Sequence, residues 1–194
     1  MKTKIKKTDV LLGEGKFMRL WNRKTWEFVE RKGSTGVVII AAMTKDKKVI
    51  LVEQFRVPIG KVVIELPAGL VGDINARESF ETAAQRELFE ETGYWARKIK
   101  VVIQGPASSG LSCEELTFCL AEDLVRKGDG GGDHTEDIIP HAVPLDKLES
   151  WLKRKEKQGC RIDPKIFAGL YFLTRNLSFP RKRESRLDPR SSRG

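Results

Sequence analysis

The stretch RELFEETG, Arg86 to Gly93, places three glutamates and an arginine within eight residues. On a helix, Glu87 and Glu91 stand one turn apart and Glu90 lies three residues from Glu87, so all three can share one side. Surface helices usually set lysines four residues from such glutamates, which relieves repulsion. Unscreened, the crowding of like charge is unfavourable. Either water solvates this face or a cation sits on it, and an all-carboxylate donor set suits a hard divalent ion. Arg86, four residues before Glu90, can orient it through an ion pair.

The elements that must hold these residues can be read from pattern. The sequence predicts a helix from about Ser79 to Thr92, with Ser79 as N-cap and Glu81 in the first turn where the helix dipole favours an anion. Phe80, Ala84 and Leu88 repeat every four residues with Ala83 beside them, an apolar stripe, and Gly93 ends the helix. Before it the chain reads as strands. FMRLWN and TWEFVERKG alternate as a half-buried hairpin would. TGVVIIAAM and KKVILVEQF, parted by the polar turn TKDKK, are rich in β-branched residues and read as buried central strands. KVVIELPAG reads as a further strand, stopped by Pro67 and Gly69. After the helix, KIKVVIQG and ELTFCLAEDL are strands joined by the loop PASSGLSCE. The Gly-rich loop KGDGGGDHTED, whose glycines suggest mobility and closure over a substrate, precedes a short strand near IIPHAV. Two helices follow, LDKLESWLKRKEK and PKIFAGLYFLTRN, the second with Pro164 in its first turn. Strands with helices inserted late make an α+β domain with a mixed sheet.

From Gly72 to Tyr94 the residues match the Nudix box, G-x5-E-x7-R-E-U-x-E-E-x-G-U with U apolar, at every specified position. The chain resembles the Nudix hydrolase superfamily. That resemblance implies the Nudix fold, a mixed β-sheet core sandwiched by helices, with an N-terminal antiparallel β-strand region. Diphosphate hydrolysis needs phosphoryl charge neutralised and a water activated, which carboxylate-held Mg2+ (or Mn2+) supplies. The resemblance makes Glu87, Glu90, Glu91 and the backbone carbonyl of Ala68 the metal-binding set, and Arg86 with Glu90 part of the catalytic set. A solvated acidic face is the alternative for an isolated EE pair, but it leaves the two glycines and the arginine unaccounted for. In close relatives the glycine of PAG is the first glycine of the box. Here Gly69 lies three residues too far from Glu78 and Gly72 fits, so LVGDINAR reads as a lengthened loop. Glu78 then keeps its place ahead of the helix, as an anchoring ion pair or cap.

Between about residues 15 and 175 the sequence further resembles the ADP-ribose pyrophosphatase group in its W-E-x-x-x-R, E-Q-F-R and E-x-P-A-G elements. That group forms homodimers that exchange N-terminal strands, stacks an aromatic residue on adenine, and cleaves ADP-ribose to AMP and ribose 5-phosphate. Matched by position, Trp26 is the candidate for base stacking, with a core or interface tryptophan as the alternative; Trp21 reads as packing. Arg31 and Arg56 match the arginines that could grip the diphosphate. A solubilising role is the alternative for Arg31, and a structural ion pair for Arg56. Glu65 sits at the strand end beside the site, or pairs with Arg56. Ser109 and Gly110 belong to the loop that follows the box, where the group's S-P-G is replaced by Ser108-Ser109-Gly110, so the substrate is less closely specified than the chemistry. ADP-glucose, GDP-mannose, an oxidised nucleotide, or ligand binding without cleavage stay open beside ADP-ribose. For the catalytic base, one alignment of the late loop offers Glu136 and another His134, with Asp133 and Asp137 near. Glu136 is chosen because a carboxylate matches the family's chemistry.

Composition bounds the rest. The chain has 194 residues, 40% of them hydrophobic, and a net charge of +9. That suffices for one domain with a core. No run approaches the roughly 18 apolar residues of a membrane span. MKTKIKKTDV is basic, but no apolar segment follows as in a secretory signal. Cys113, Cys119 and Cys160 lack zinc-type spacing and read as reduced thiols of a cytoplasmic protein. The sequence divides into N-terminal strands over 1–34 for dimerisation and base binding, a hydrolase domain over 35–177, and a basic tail over 178–194, expected to be disordered. The tail carries six Lys/Arg against two Asp/Glu, so +4 of the +9 is its own. Only Phe179 interleaves its basic residues, which argues against nucleic-acid binding. The partners expected are a nucleoside diphosphate sugar and a second copy of the chain.

Overall fold

The computed structural model describes residues 5–132 and 137–178, with side chains up to Arg175 in the last helix. In chain order these form β1 (Val10–Glu14), β2 (Met18–Arg23), β3 (Trp26–Arg31), β4 (Gly36–Ala42), β5 (Lys48–Arg56), β6 (Lys61–Glu65), β7 (Ala68–Val71), α1 (Phe80–Thr92), β8 (Tyr94–Pro106), β9 (Glu115–Arg126) and β10 (Ile138–Pro144). A one-turn 3-10 helix (Leu145–Lys147), α2 (Leu148–Lys157), β11 (Arg161–Ile162) and α3 (Lys165–Ser178) complete the chain. Among the described residues no helix is long and apolar enough to cross a membrane.

The expected α+β architecture with mixed pairing is present, distributed over three sheets. One has the order β7-β4-β9-β8, the second β10-β5-β6-β11, and the third is the antiparallel β1-β2-β3. Pairing is parallel between β4 and β9 and between β11 and β6, and antiparallel elsewhere within the sheets. The run VVIIAA is almost continuously apolar because β4 is covered on both faces. Ile39 and Ala41, with Phe118 and Leu120 of β9, face a core that includes Leu148 and Leu152 of α2 and Ile166 and Leu173 of α3. Val38, Ile40 and Ala42, with Cys119 and Ala121, face Ala83, Ala84 and Leu88 of α1. Helices therefore lie on both sides of this sheet. The stripe read from sequence is the buried one; truncating the fully buried Leu88 to Ala would cost about 2–5 kcal/mol.

One strand runs differently from its expected course. KVVIELPAG is not one strand. Proline has no N–H to give a ladder, and at Leu66–Pro67 the chain leaves the second sheet, with Pro67 accepting from Ile40 N–H at 2.8 Å. It re-enters pairing as β7 in the first sheet, so Gly69 lies inside a strand and does not end one. The Gly-rich loop is described up to Gly132. Gly131 N–H donates to the Glu91 carbonyl at 2.9 Å and Gly132 N–H to the Glu90 carbonyl at 3.0 Å, while Lys127 and Gly128 N–H both donate to the Gly93 carbonyl. Residues 127–132 are thus docked on the C-terminal end of α1, satisfying carbonyls that a helix end leaves open. Gly130 has φ +74, and a β-carbon there would come within 2.5 Å of the Thr92 backbone. Close approach to the helix end thus accounts for the glycine at position 130. The sequence also missed β1, whose residues are all exposed.

Candidate active site

Helix α1 is framed by local chemistry. Ser79 Oγ accepts from Thr82 N–H at 3.1 Å, and Gly93, at φ 72, closes the helix with its N–H on the Phe89 carbonyl. Between these caps the glutamates divide by burial. Glu91 is 2% exposed, and its Oε2 accepts from Ala68 N–H at 3.1 Å. Glu87 lies against β7, close enough that a β-carbon on Gly69 would meet its Cδ at 1.9 Å. Glu90 is the most open of the three.

Arg86 links them. Its Nη1 donates to Glu87 Oε1 at 2.7 Å and to Glu90 Oε2 at 3.2 Å. Its Nε and Nη2 grip the two oxygens of Glu78 at 3.1 and 3.2 Å, and Nη2 also reaches the Leu70 carbonyl at 3.1 Å. Asp73 stands 3.5 Å from the same Nη2. The expected pair with Glu90 is present, and Glu78 is an ion-pair anchor rather than a cap. Burial would lower the pKa of Arg86, but Glu78 and Glu87 more than offset this and raise it. For Glu87, burial pushes the carboxyl up to about 7; Arg86 opposes the shift, while Glu90 and Asp73 add to it.

The opposite walls come from other elements. Arg56 of β5 donates Nε to Glu65 Oε2 of β6 at 2.8 Å, with Nη2 at 2.6 Å from the same oxygen. Arg31 of β3 donates Nε to Glu114 Oε1 at 2.6 Å. Both arginines, Glu65, Ala68, Gly69, Arg86, Glu87 and Glu90 line one cavity of about 860 Å³. Trp26, Ser109 and Gly110 do not line it. They border a second hollow of about 410 Å³ with Arg23, Phe28 and Cys113, and Glu114 belongs to both. Bonds from Val29 N–H to the Leu111 carbonyl and from Cys113 N–H to the Val29 carbonyl zip β3 to the 108–113 loop and bring Trp26 there, 62% exposed. Trp21 is half-buried, its Nε1–H donating to Glu30 Oε2 at 2.9 Å. Asp133, His134 and Glu136, three of the four residues near the candidate base position, lie outside the described residues. Asp137 is described and exposed.

Sequence reasoning passed over Asp73, Glu114, Asp163 and Lys165, which also line the main cavity. For Asp163 and Lys165 a signal existed, since Asp-Pro-Lys before an apolar run is a helix start. Glu114 had none, because its pairing with Arg31 spans 83 residues of chain. The site's donors are all oxygen, which fits a divalent cation. Among the described residues no three such groups converge as a ready-made metal site, and the guanidinium of Arg86 bridges two of the carboxylates. Mg2+ commonly uses one or two carboxylates and keeps its waters, so this donor set suffices.

Comparison with known proteins agrees with this geometry. A family model described as NUDIX domain matches residues 32–163. The chain is 39% identical over 89 residues to an ADP-ribose pyrophosphatase of Bacillus subtilis (strain 168), a match covering 46% of this chain and 46% of that protein. It therefore spans about half the length of that bacterial relative. It is 36% identical over 187 residues to an ADP-sugar pyrophosphatase of Mus musculus, covering 83% of each chain. A crystal structure of an ADP compounds hydrolase superposes with a TM-score of 0.65 at 17% identity, over 88% of this chain and 93% of that one, a likeness of fold. Nudix hydrolases generally act with a divalent metal, and the box residues, the fold and the family match converge on one assignment: this chain belongs to the NUDIX domain family.

Proposed function

We propose that the chain is a Mg2+-dependent pyrophosphohydrolase of nucleoside diphosphate sugars, with ADP-ribose as its leading substrate, water cleaving the diphosphate to AMP and ribose 5-phosphate. The observation that carries this reading is the single cavity shared by Glu87 and Glu90 of α1 and the cationic side chains of Arg31 and Arg56; Glu91 is buried behind them. A diphosphate needs both: carboxylates to hold a metal, and forked donors for its remaining oxygens. The two relatives described above, named for ADP-ribose and ADP-sugar pyrophosphatase activities, support the substrate class.

Glu87, Glu90, Glu91 and the Ala68 carbonyl would hold the cation. Bound there, Mg2+ (or Mn2+) supplies charge neutralisation at the phosphoryl oxygens and lowers the pKa of a water. Arg86 restrains Glu87 and Glu90 so that the carboxylates keep their places. Arg31 and Arg56, each with one carboxylate partner, turn their remaining donors to the diphosphate, and Glu65 holds Arg56 in that pose. Glu136 is assigned as general base, with His134 as the alternative; full kcat in Glu136→Gln would sink the first assignment. We assign the 1–34 strands to association with a second copy. Supporting this are the exposed Val10, Leu11, Leu12, Phe17, Met18 and Leu20 of that region, since a large apolar patch marks an interaction surface. Trp26, with Ser109 and Gly110 beside it, takes the base.

A product assay with Mg2+ tests the proposal, using ADP-ribose, other sugar nucleotides, dinucleotides and nucleoside triphosphates. AMP release from ADP-ribose, lost in Glu91→Gln, is the expected result. Turnover of triphosphates alone would remove the ADP-ribose assignment, and binding without turnover would make the chain a ligand-binding module.

A further inference from the structure

Lys165 stands on the wall of the main cavity, carried there by a segment that has no role in the reading above. Parallel pairing of β11 with β6 sets Ile162 beside Ile64, next to Glu65. The chain then turns at Asp163, whose N–H donates to the Ile64 carbonyl at 3.0 Å, and enters α3. Asp163 is 7% exposed, and a buried carboxylate needs partners. One residue supplies two: Oδ1 accepts from Lys165 N–H at 2.8 Å, and Oδ2 pairs with Lys165 Nζ. Asp163 thus holds Lys165 by both its backbone and its ammonium.

An ammonium has three donors and no acceptor. With both oxygens of Asp163 engaged by Lys165, the Lys165 ammonium has further N–H donors to offer the cavity, and no acceptor. That combination favours a ligand group that is anionic and only accepts over a hydroxyl that must also donate. In a nucleoside diphosphate sugar, such groups are the phosphoryl oxygens. We propose that Lys165, positioned by Asp163, is a substrate-binding contact to a phosphoryl group of the diphosphate. This rests on the reading of the cavity as a diphosphate site. It differs from the base contact assigned to Trp26, because the Lys165 contribution is the same whichever base the substrate carries.

The test is calorimetric titration of methylenediphosphonate, a diphosphate analogue that cannot be hydrolysed, into the full chain with Mg2+, run beside turnover of ADP-ribose and GDP-mannose. Lys165→Gln weakens diphosphonate binding by about tenfold or more, the scale of a charge-assisted bond, and Lys165→Arg restores most of it. Lys165 is 38% exposed, so the variants should fold; Lys165→Met repeats the measurement if Gln does not. Asp163→Asn keeps a helix-capping oxygen yet weakens binding, and the Asp163→Asn/Lys165→Gln double variant binds no worse than Lys165→Gln alone. A merely structural Asp163 would add its own loss. Wild-type binding in both Lys165→Gln and Lys165→Met, or no diphosphonate binding by the wild type, overturns the proposal. If the wild type turns over no sugar nucleotide but loses diphosphonate binding in Lys165→Gln, the activity falls and the Lys165 contact stands.

Discussion

The carboxylate of Glu87 occupies the space that a side chain at position 69 would need: a β-carbon on Gly69 would meet Glu87 Cδ at 1.9 Å and Oε1 at 2.1 Å. Gly69 is therefore selected by its neighbour on α1, and β7 serves as the floor beneath the glutamate face proposed to hold the metal. Gly69→Ala must displace the Glu87 carboxylate from its place against β7. Displacing a ligand's support in this way typically costs 10–100-fold in metal affinity or activity. The Mg2+ concentration for half-maximal rate should rise by about that factor, and an unchanged Mg2+ titration would disprove this role for Gly69.

Glu87 gives the metal-free protein a distinct pH response. Its folded pKa of about 7 lies above the 4.5 of an ordinary glutamate. Between these values the folded chain retains a proton that the unfolded chain has released, so this group's contribution to stability falls as pH rises from about 4.5 to 7 and then levels off. Metal binding must expel that proton and so strengthens over the same rise. In thermal unfolding, the increase in Tm produced by Mg2+ over EDTA should grow from pH 6 to pH 8. In Glu87→Gln it should be small and nearly flat, and an equal pH slope in that variant would contradict the assignment.

Arg86 carries a structural load as well as an orienting one. Its forked bond to the buried Glu78 and its contact with Glu87 mean that Arg86→Ala leaves carboxylates unpaired. Breaking such a pair by removing one partner costs about 3–5 kcal/mol. Denaturant unfolding in EDTA should show this loss, and added Mg2+ should recover part of it by replacing the missing positive charge. A variant as stable as the wild type in EDTA would refute the hub.

Trp26 can be tested apart from the chemistry. Base stacking is worth about 1–3 kcal/mol, so Trp26→Ala should raise KM for ADP-ribose by about 5- to 150-fold with kcat largely kept. If Trp26 only packs the N-terminal strands, stability or oligomeric state will change and KM at saturating protein association will not.

Local signals made α1 legible. Its caps, its apolar stripe and the i, i+3 and i, i+4 spacing of Glu87, Glu90 and Glu91 all operate within one helical turn, where sequence distance is spatial distance. The buried strands were legible for a similar reason, since unbroken apolar runs occur where both faces are covered. The sequence did not show that β4 and β5, neighbours in the chain, belong to different sheets. Nor did it show that residues 127–132 dock on the C-terminal end of α1. The positive φ of Gly130 and its close approach to Thr92 answer to a helix end far from it in the chain.

The sequence by itself therefore determined the family, the helix and the order of its carboxylates, because these rest on short-range spacing. Tertiary structure alone decided which cations face those carboxylates. Arg31 meets Glu114 across 83 residues, Arg56 meets Glu65 through the register of β5 on β6, and Lys165 reaches the cavity because β11 pairs with β6. Such contacts follow from burying the faces of two sheets against three helices, a condition satisfied by the whole chain at once and written in no single stretch of it.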